Sequence, residues 1–185
     1  MVDRMERLAD EWLVLECRAG SREAFEQLVE RWQPRLLRHA RHLTGQDDAA
    51  WDVLQDAWIA IARGLGGLQD VAAFPAWAYT IVTRRAADWV RRRQRQPSTS
   101  LDALARDDPQ QPAALDARPT DAVSLLREAL QRMSVDKRTV LELHHLEAFD
   151  VAEIATILGI PEGTVKSRLH HARQELRTLI ERLDR

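Results

Sequence analysis

Residues 149–176 constrain the fold of this chain more tightly than any other segment, because several local signals agree there. Asp150 is a favourable helix N-cap, and Glu153 follows it at the spacing of a capping box. Gly159 supplies the left-handed residue that ends a helix, and Pro161 suits the first turn of the next helix. The segment therefore predicts two helices joined by a short turn, the arrangement called a helix-turn-helix.

The second helix of this motif has one apolar face and one polar face. Its apolar stripe is formed by Val165, Leu169, Ala172 and Leu176. The opposite face carries side chains that can donate hydrogen bonds, namely Thr164, Lys166, Ser167, Arg168, His170, His171 and Arg173. A helix with such a face suits the major groove, so we predict that these residues contact duplex DNA. The alternative is an ordinary helical hairpin whose basic side faces solvent.

The rest of the chain is also predicted to be helical. Glycine is scarce, with seven residues in 185, and no stretch shows the period-two alternation of a strand. The predicted fold class is therefore all-α. Eight helices are expected, at about residues 4–18, 22–44, 47–63, 72–93, 122–133, 135–146, 151–158 and 162–183. Ser21 is expected to cap the start of the second helix, and Gly45 is expected to end it. Pro34 lies inside this helix and is expected to bend it.

The composition changes abruptly between residues 96 and 121. This stretch holds four prolines and five aspartates against two arginines, and it contains no aromatic residue. Such a composition predicts a flexible acidic linker. The chain is therefore predicted to form two small helical domains, at residues 1–95 and 122–185, with the helix-turn-helix in the second.

Composition also limits the class of function. The net charge is −2 at pH 7, which is not the balance of a protein that coats nucleic acid on its own. Cys17 is the only cysteine, which excludes an intramolecular disulfide and fits a reducing compartment. The N-terminus lacks the layout of a signal peptide, and no window approaches 18 uninterrupted apolar residues. We therefore expect a cytoplasmic protein without membrane insertion.

The polar residues predict neither catalysis nor a cofactor. The six histidines fall in pairs, at 39 and 42, 144 and 145, and 170 and 171. A zinc site needs three or four converging ligands, so no metal site is predicted. No arrangement of nucleophile and base and no glycine-rich phosphate loop is evident either, so we expect a protein that is not an enzyme.

A dense basic run marks the end of the fourth predicted helix. Residues 84–95 hold six arginines against Asp88 alone, a local net charge of +5. Trp77, Tyr79 and Trp89 lie on the same helix, and aromatic rings beside arginines can stack on exposed bases. The run therefore predicts contact with nucleic acid. The alternative is that the arginines keep a helix end soluble and complement its dipole, while the aromatic residues pack in the core.

Four segments, taken in order, resemble a bacterial RNA polymerase sigma factor of the extracytoplasmic-function (ECF) group. The segments are residues 21–43, 47–63, 74–93 and 158–173. They resemble, in turn, the opening helices of the first domain, the segment that docks on the polymerase clamp, the segment that melts and reads the promoter, and the reader of the minus-thirty-five element. The resemblance covers almost the whole chain and implies a non-catalytic specificity subunit of RNA polymerase.

The resemblance also implies roles for individual residues. For binding to a basic coiled coil of core polymerase it implies Asp52, Gln55, Asp56 and Trp58. For recognition and melting of the minus-ten region it implies Trp77, Tyr79, Arg84, Arg85, Asp88, Arg91 and Arg92. Residues 64–73 correspond to the loop that captures a base flipped from the non-template strand, where a pocket must offset the lost stacking. The alternative for the acidic helix at 52–56 is a solvated face.

Two positions depart from the family pattern. Family members usually carry Asn where this chain has Arg84. This difference puts in doubt any DNA contact that the family makes through the Asn side chain. They usually carry Arg where this chain has His171. An imidazole cannot make the two-pronged contact that arginine makes with guanine, so either the target element differs or this contact is weaker.

We therefore predict an ECF-type sigma factor that binds core RNA polymerase and directs promoter recognition, DNA melting and transcription initiation. Its expected partners are core polymerase, promoter DNA in double-stranded and melted form, and an anti-sigma factor. One alternative is a sigma-like decoy that binds an anti-sigma factor without reading DNA. Another is a freestanding helix-turn-helix regulator that binds DNA as a dimer, although no heptad-patterned helix is evident for dimerisation.

Overall fold

The computed structural model describes residues 4–95 and 122–183, which form eight α-helices and two short 3₁₀ turns. The helices are α1 (Arg4–Arg18), α2 (Arg22–Thr44), α3 (Asp47–Gly64), α4 (Phe74–Arg95), α5 (Ala122–Gln131), α6 (Val135–His145), α7 (Val151–Leu158) and α8 (Glu162–Leu183). No strand occurs in these two stretches, so the predicted all-α fold is confirmed for the described residues. The predicted linker at 96–121 lies outside them.

The described residues belong to two compact units: the first comprises residues up to 91 together with 156–159, and the second comprises residues 92–95, 122–155 and 160–183. In the first unit, the core is formed by one apolar face from each of the long helices. The buried residues include Leu28, Trp32 and Leu36 of α2, Val53, Leu54, Ala57 and Ile61 of α3, and Phe74, Ala78 and Val82 of α4. The α2 and α3 helices also pack extensively on each other. This core leaves the opposite faces of α3 and α4 in contact with solvent.

Local capping chemistry sets both ends of α2. The Ala24 N–H donates a hydrogen bond to Ser21 Oγ at 3.2 Å, which satisfies one of the free amide groups of the first turn. Gly45 takes a left-handed conformation with φ of 70° at the other end. Both signals were predicted from the sequence. The helix is continuous through Pro34, and the bend expected there stays a prediction.

The segment between α3 and α4 is more ordered than predicted. Residues 64–70 were expected to form a loop, yet Leu65–Gly67 is a 3₁₀ turn, and Val71–Ala73 forms a second one. The Asp70 carboxylate caps the second turn, because it accepts a hydrogen bond from the Ala72 N–H at 3.0 Å. The α4 helix therefore begins at Phe74, two residues later than expected, with a proline tolerated in its first turn.

The second unit buries a smaller apolar core. Its buried residues include Val140, Leu141 and Leu143 of α6, Ile154 of α7, and Val165, Leu169 and Ala172 of α8. An ion pair between Lys137 Nζ and Glu175 Oε2 at 2.5 Å also joins α6 to α8. The long α8 helix is thus held by apolar packing along its first half and by a polar link at Glu175.

His39 is a buried histidine of the first unit with a strongly lowered pKa. Its ring lies 4.9 Å from the Tyr79 ring, and its Nε2 lies 2.9 Å from Thr83 Oγ1 on α4. Burial lowers the pKa of His39 from 6.5 to about 3, and the positive charges of His42 and Arg38 add to this effect. The folded unit therefore holds His39 neutral, whereas the unfolded chain protonates it below pH 6.5.

The stability of the first unit is expected to fall as the pH drops below 6.5. Between pH 6.5 and 3 the unfolded state binds one proton more at His39, so the free energy of unfolding decreases by about 1.4 kcal/mol per pH unit. Urea unfolding followed by tryptophan fluorescence measures this unit alone, since all six tryptophans lie at positions 12–89. His39→Gln should flatten the slope, and an unchanged slope in that variant would contradict the assignment.

Candidate nucleic-acid interface

The predicted helix-turn-helix forms with the local hydrogen bonds that its sequence implies. The Glu153 N–H donates to Asp150 Oδ1 at 2.8 Å, and the Asp150 N–H donates to Glu153 Oε2 at 2.8 Å. These two bonds make a reciprocal capping box at the start of α7. Gly159 has φ of 65°, and the Ile160 N–H donates to the Ala155 carbonyl at 3.1 Å, which closes the helix. The predicted motif is confirmed.

The α8 helix presents the predicted two faces. Val165, Leu169 and Ala172 are buried, and Leu176 is half-buried. Four polar residues of the opposite face are exposed together, namely Lys166, Ser167, His170 and His171. We call these four the α8 polar face. Thr164, also predicted to contact DNA, is half-buried in the first turn of the helix.

Two arginines predicted to face DNA are engaged within the second unit. Arg168 Nη2 lies 2.8 Å from Asp136 Oδ2, and this ion pair joins α8 to the start of α6. The Arg173 Nε–H donates to His145 Nε2 at 3.4 Å. Desolvation lowers the pKa of His145, and the nearby His144 and Arg173 lower it further, which favours the neutral ring that can accept this bond. Both arginines therefore help to hold α8 in place.

The exposed side of α3 carries three of the four residues that the resemblance implies for polymerase binding. Asp52, Gln55 and Asp56 are all exposed. Two large apolar side chains on the same side, Trp51 and Ile59, are 43% and 50% exposed. Trp51 was not predicted, although its spacing of four residues from Gln55 was a signal for it. We call these five residues the α3 surface.

Trp58 lies apart from the α3 surface. It is half-buried, and its ring packs edge-on against Phe25 of α2 with centroids 5.9 Å apart. Its indole nitrogen is buried and has no hydrogen-bond acceptor among the described residues. The structure therefore gives Trp58 a packing role between α2 and α3, and its contact with core polymerase stays a prediction.

The α4 helix separates its arginines from its aromatic residues. Arg84, Arg85, Arg91 and Arg92 are exposed, and the Arg91 side chain pairs with Asp88 at 2.5 Å. Tyr79, by contrast, is only 1% exposed and lies against His39 in the core. Its predicted contact with DNA is therefore corrected to a core position, because the folded unit covers the ring. Trp77 is half-buried beside the turn that follows α3.

An apolar groove on the second unit was missed by sequence analysis. It is open to solvent, has a volume of about 620 Å³, and is lined chiefly by leucines and one isoleucine of α5, α6 and α8. The apolar residues are Leu126, Leu130, Leu141, Leu146, Leu176 and Ile180. The spacing of Leu126 and Leu130, and of Leu176 and Ile180, was the available signal. An exposed apolar groove of this kind is typical of a protein contact.

Within residues 4–95 and 122–183, no group of three or more potential ligands could hold a metal ion. The adjacent histidines of each pair, His144 with His145 and His170 with His171, pack ring against ring instead. No helix in this described part of the chain is long and apolar enough to span a membrane.

Comparison with known proteins adds two regional matches. Residues 28–96 match the family model described as Sigma-70 region 2, and residues 124–176 match Sigma-70, region 4. The ECF RNA polymerase sigma factor SigM of Mycobacterium tuberculosis is 33% identical over 162 residues, which cover 88% of this chain and 80% of SigM. The ECF RNA polymerase sigma-E factor of Escherichia coli K12 is 29% identical over 189 residues, covering 97% and 98% of the two chains.

The fold also occurs among solved structures of sigma factors. The sigma factor RpoE of Bartonella quintana, in complex with the anti-sigma factor NepR, has a TM-score of 0.66 and 25% sequence identity. The match covers 85% of this chain and 96% of that one. The likeness thus extends over the greater part of both chains.

Proposed function

Because the chain belongs to the extracytoplasmic-function group of RNA polymerase sigma factors, we propose that its two units read two different elements of a promoter. As a member of this group, it binds core RNA polymerase and directs promoter recognition and transcription initiation. We assign residues 1–95 to polymerase binding and to the minus-ten region, and residues 122–185 to the minus-thirty-five element. The observation that carries this assignment is the order of the matches, with region 2 before region 4.

The α8 polar face supplies the contacts with the minus-thirty-five element in this proposal. Lys166 is 66% exposed and has only a loose ion pair with Glu162 at 3.6 Å, so little free energy is needed to release it. Ser167 and His170 flank it with donors that can reach base edges or phosphates. Arg168 and Arg173 contribute by holding α8 against α6, and Thr164 lies at the helix start, where phosphates bind well.

His171 distinguishes this reader from the family pattern. It is exposed on the α8 polar face, next to His170. A histidine makes a single hydrogen bond to a base edge, whereas arginine grips guanine with two. We therefore propose that the target element has no guanine requirement at the base that His171 meets.

The exposed arginines of α4 contact the promoter around the minus-ten region. Arg84, Arg85 and Arg92 can neutralise phosphates, a contribution that depends on salt and not on sequence. Arg91 is held by Asp88, which orients its guanidinium. Trp77 lies beside the turn segment 64–73 and provides an aromatic surface at the place where a flipped base would be captured.

The α3 surface is the proposed docking site for core polymerase. Its two carboxylates would face a basic coiled coil, and complementary charge of this kind favours correct orientation and fast association. The exposed Trp51 and Ile59 add apolar area beside those charges. Aromatic and apolar anchors next to charged residues are typical of protein interfaces.

We further propose that an anti-sigma factor regulates this chain in the cytoplasm, and that the chain itself has no catalytic role. The support comes from the Bartonella quintana relative, whose structure was solved in complex with the anti-sigma factor NepR. The apolar groove of the second unit supports a protein partner as well, since a surface of this kind is costly to leave in water.

Run-off transcription with purified core polymerase and a library of promoter fragments tests the proposal. We expect the chain to select start sites that lie at a constant distance from two sequence elements. Failure to select any start site, together with tight binding to an inhibitor protein, would support the decoy alternative. Specific binding to a palindromic duplex without polymerase would instead support a dimeric regulator.

A further inference from the structure

A buried carboxylate joins α1 to α2 in the first unit. Asp10 is 6% exposed, and its Oδ1 accepts two hydrogen bonds, from Trp32 Nε1 at 3.0 Å and from Arg31 Nε at 2.6 Å. Arg31 also donates from Nη2 to the backbone carbonyl of Glu6 at 3.3 Å. A buried carboxylate is costly unless it is paired and hydrogen-bonded, so this cluster specifies one arrangement of Trp32 against α1.

A row of aromatic rings continues from Trp32 towards the segment 64–73. The Trp32 ring packs edge-on against Phe74, with centroids 5.6 Å apart. Phe74 in turn lies 6.3 Å from the Trp77 ring. Trp77 packs so closely on Gly64 that a Cβ added there would lie 2.9 Å from Trp77 Cζ2. Position 64 therefore has no room for a side chain while Trp77 keeps this place.

The two ends of the segment 64–73 rest on this aromatic row. Gly64 is the last residue of α3, and Phe74 is the first residue of α4. The α1 helix also packs directly on both 3₁₀ turns between them. The orientation of Trp32, set by Asp10, is thus passed to both ends of the segment through ring contacts. Gly66, Gly67 and Gln69 remain exposed between these ends, where a base could enter.

We propose that Asp10 is a positioning residue that sets base selectivity at the minus-ten element by orienting Trp32, Phe74 and the segment 64–73. This inference rests on the proposed function of that segment as the pocket for a flipped base. A pocket selects among bases only if its walls are held in place before the base arrives, since small displacements carry large costs in rate. Asp10 touches no DNA in this scheme and acts only through the indole N–H of Trp32.

The test compares three variants in reconstituted holoenzyme. Asp10→Ala removes the acceptor, Trp32→Phe removes the donor but keeps an aromatic ring, and Asp10→Asn keeps an acceptor for the indole N–H. Val82→Ala is the matched control, because Val82 is fully buried in α4 and lies about two helical turns after Phe74. Run-off transcription is measured on promoter pairs that differ at one minus-ten base, and separately on pairs that differ at one minus-thirty-five base.

Asp10→Ala and Trp32→Phe are expected to reduce the minus-ten preference about tenfold and to leave the minus-thirty-five preference unchanged. Asp10→Asn should retain the minus-ten preference within about twofold. Fluorescence of 2-aminopurine at the flipped position should report the same order of variants. The inference is overturned if the minus-ten preference survives in Asp10→Ala, or if Val82→Ala reduces it equally. If the unaltered chain itself shows no minus-ten preference, the proposed function of the segment 64–73 fails as well. If the unaltered chain shows this preference and Asp10→Ala retains it, only the role of Asp10 fails.

Discussion

Reversing the charge of Asp52 and Asp56 together, as Asp52→Lys and Asp56→Lys, is expected to lower affinity for core polymerase about a hundredfold and to abolish most promoter-directed transcription. Each close charge pair across a protein interface contributes about 1.5 kcal/mol or more, and 1.4 kcal/mol is a tenfold change in affinity. Both side chains are exposed and form no ion pair within the described residues. Folding should therefore be unaffected, and titration of labelled protein with core polymerase measures the loss directly.

Glu23→Lys combined with Glu30→Lys is the control for this experiment. Both residues are exposed on α2 in the same unit, and the pair changes the net charge by the same amount. This control is expected to bind core polymerase within about threefold of the unaltered chain, because exposed charges outside an interface contribute little. Equal affinity of the two double variants would exclude the α3 surface as the docking site.

Lys166→Glu is expected to lower transcription from promoters that depend on the minus-thirty-five element by about tenfold to a hundredfold. The change removes a charged donor from the α8 polar face and places a negative charge against the phosphates. Lys166 is exposed, and its ion pair with Glu162 is a loose one within the same helix, so the fold should persist. The loss should grow as the salt concentration falls, because repulsion from the phosphates is then screened less.

The matched variant for Lys166 lies on the same helix. Arg182→Glu makes the same change of charge at an exposed position of α8, about 24 Å further along the helix axis. It should leave the minus-thirty-five preference unchanged. Run-off transcription from promoters with and without a minus-thirty-five element provides the readout. A loss of equal size on both kinds of promoter would mean that Lys166 does not read that element.

The sequence predicted best the features that depend on near neighbours in the chain. The bounds of α7 and α8 are observed where they were expected, because the capping box and the left-handed Gly159 act within three to five residues. The caps of α2 at Ser21 and Gly45 were found for the same reason. The start of α4 was missed by two residues, since the Asp70 cap favours a 3₁₀ turn first.

The candidate site was predicted less completely, because it depends on which residues meet across helices. Sequence spacing placed Tyr79 beside the arginines of α4, but packing against His39 buries its ring. The resemblance implied Trp58 for polymerase binding, and only the tertiary structure shows that its ring packs on Phe25. The groove of the second unit is lined by side chains from three helices, so the sequence pattern of a single helix did not predict it.

The sequence by itself determined the helices, their caps, the helix-turn-helix and the likeness to sigma factors, since these depend on signals within short segments. Only the tertiary structure decided which polar side chains of one helix face remain available to contact DNA. Arg168 and Lys166 are two residues apart, yet Arg168 is paired with Asp136 while Lys166 remains exposed. The physical reason is that caps act within one helical turn, whereas ion pairs and ring contacts depend on how distant segments pack.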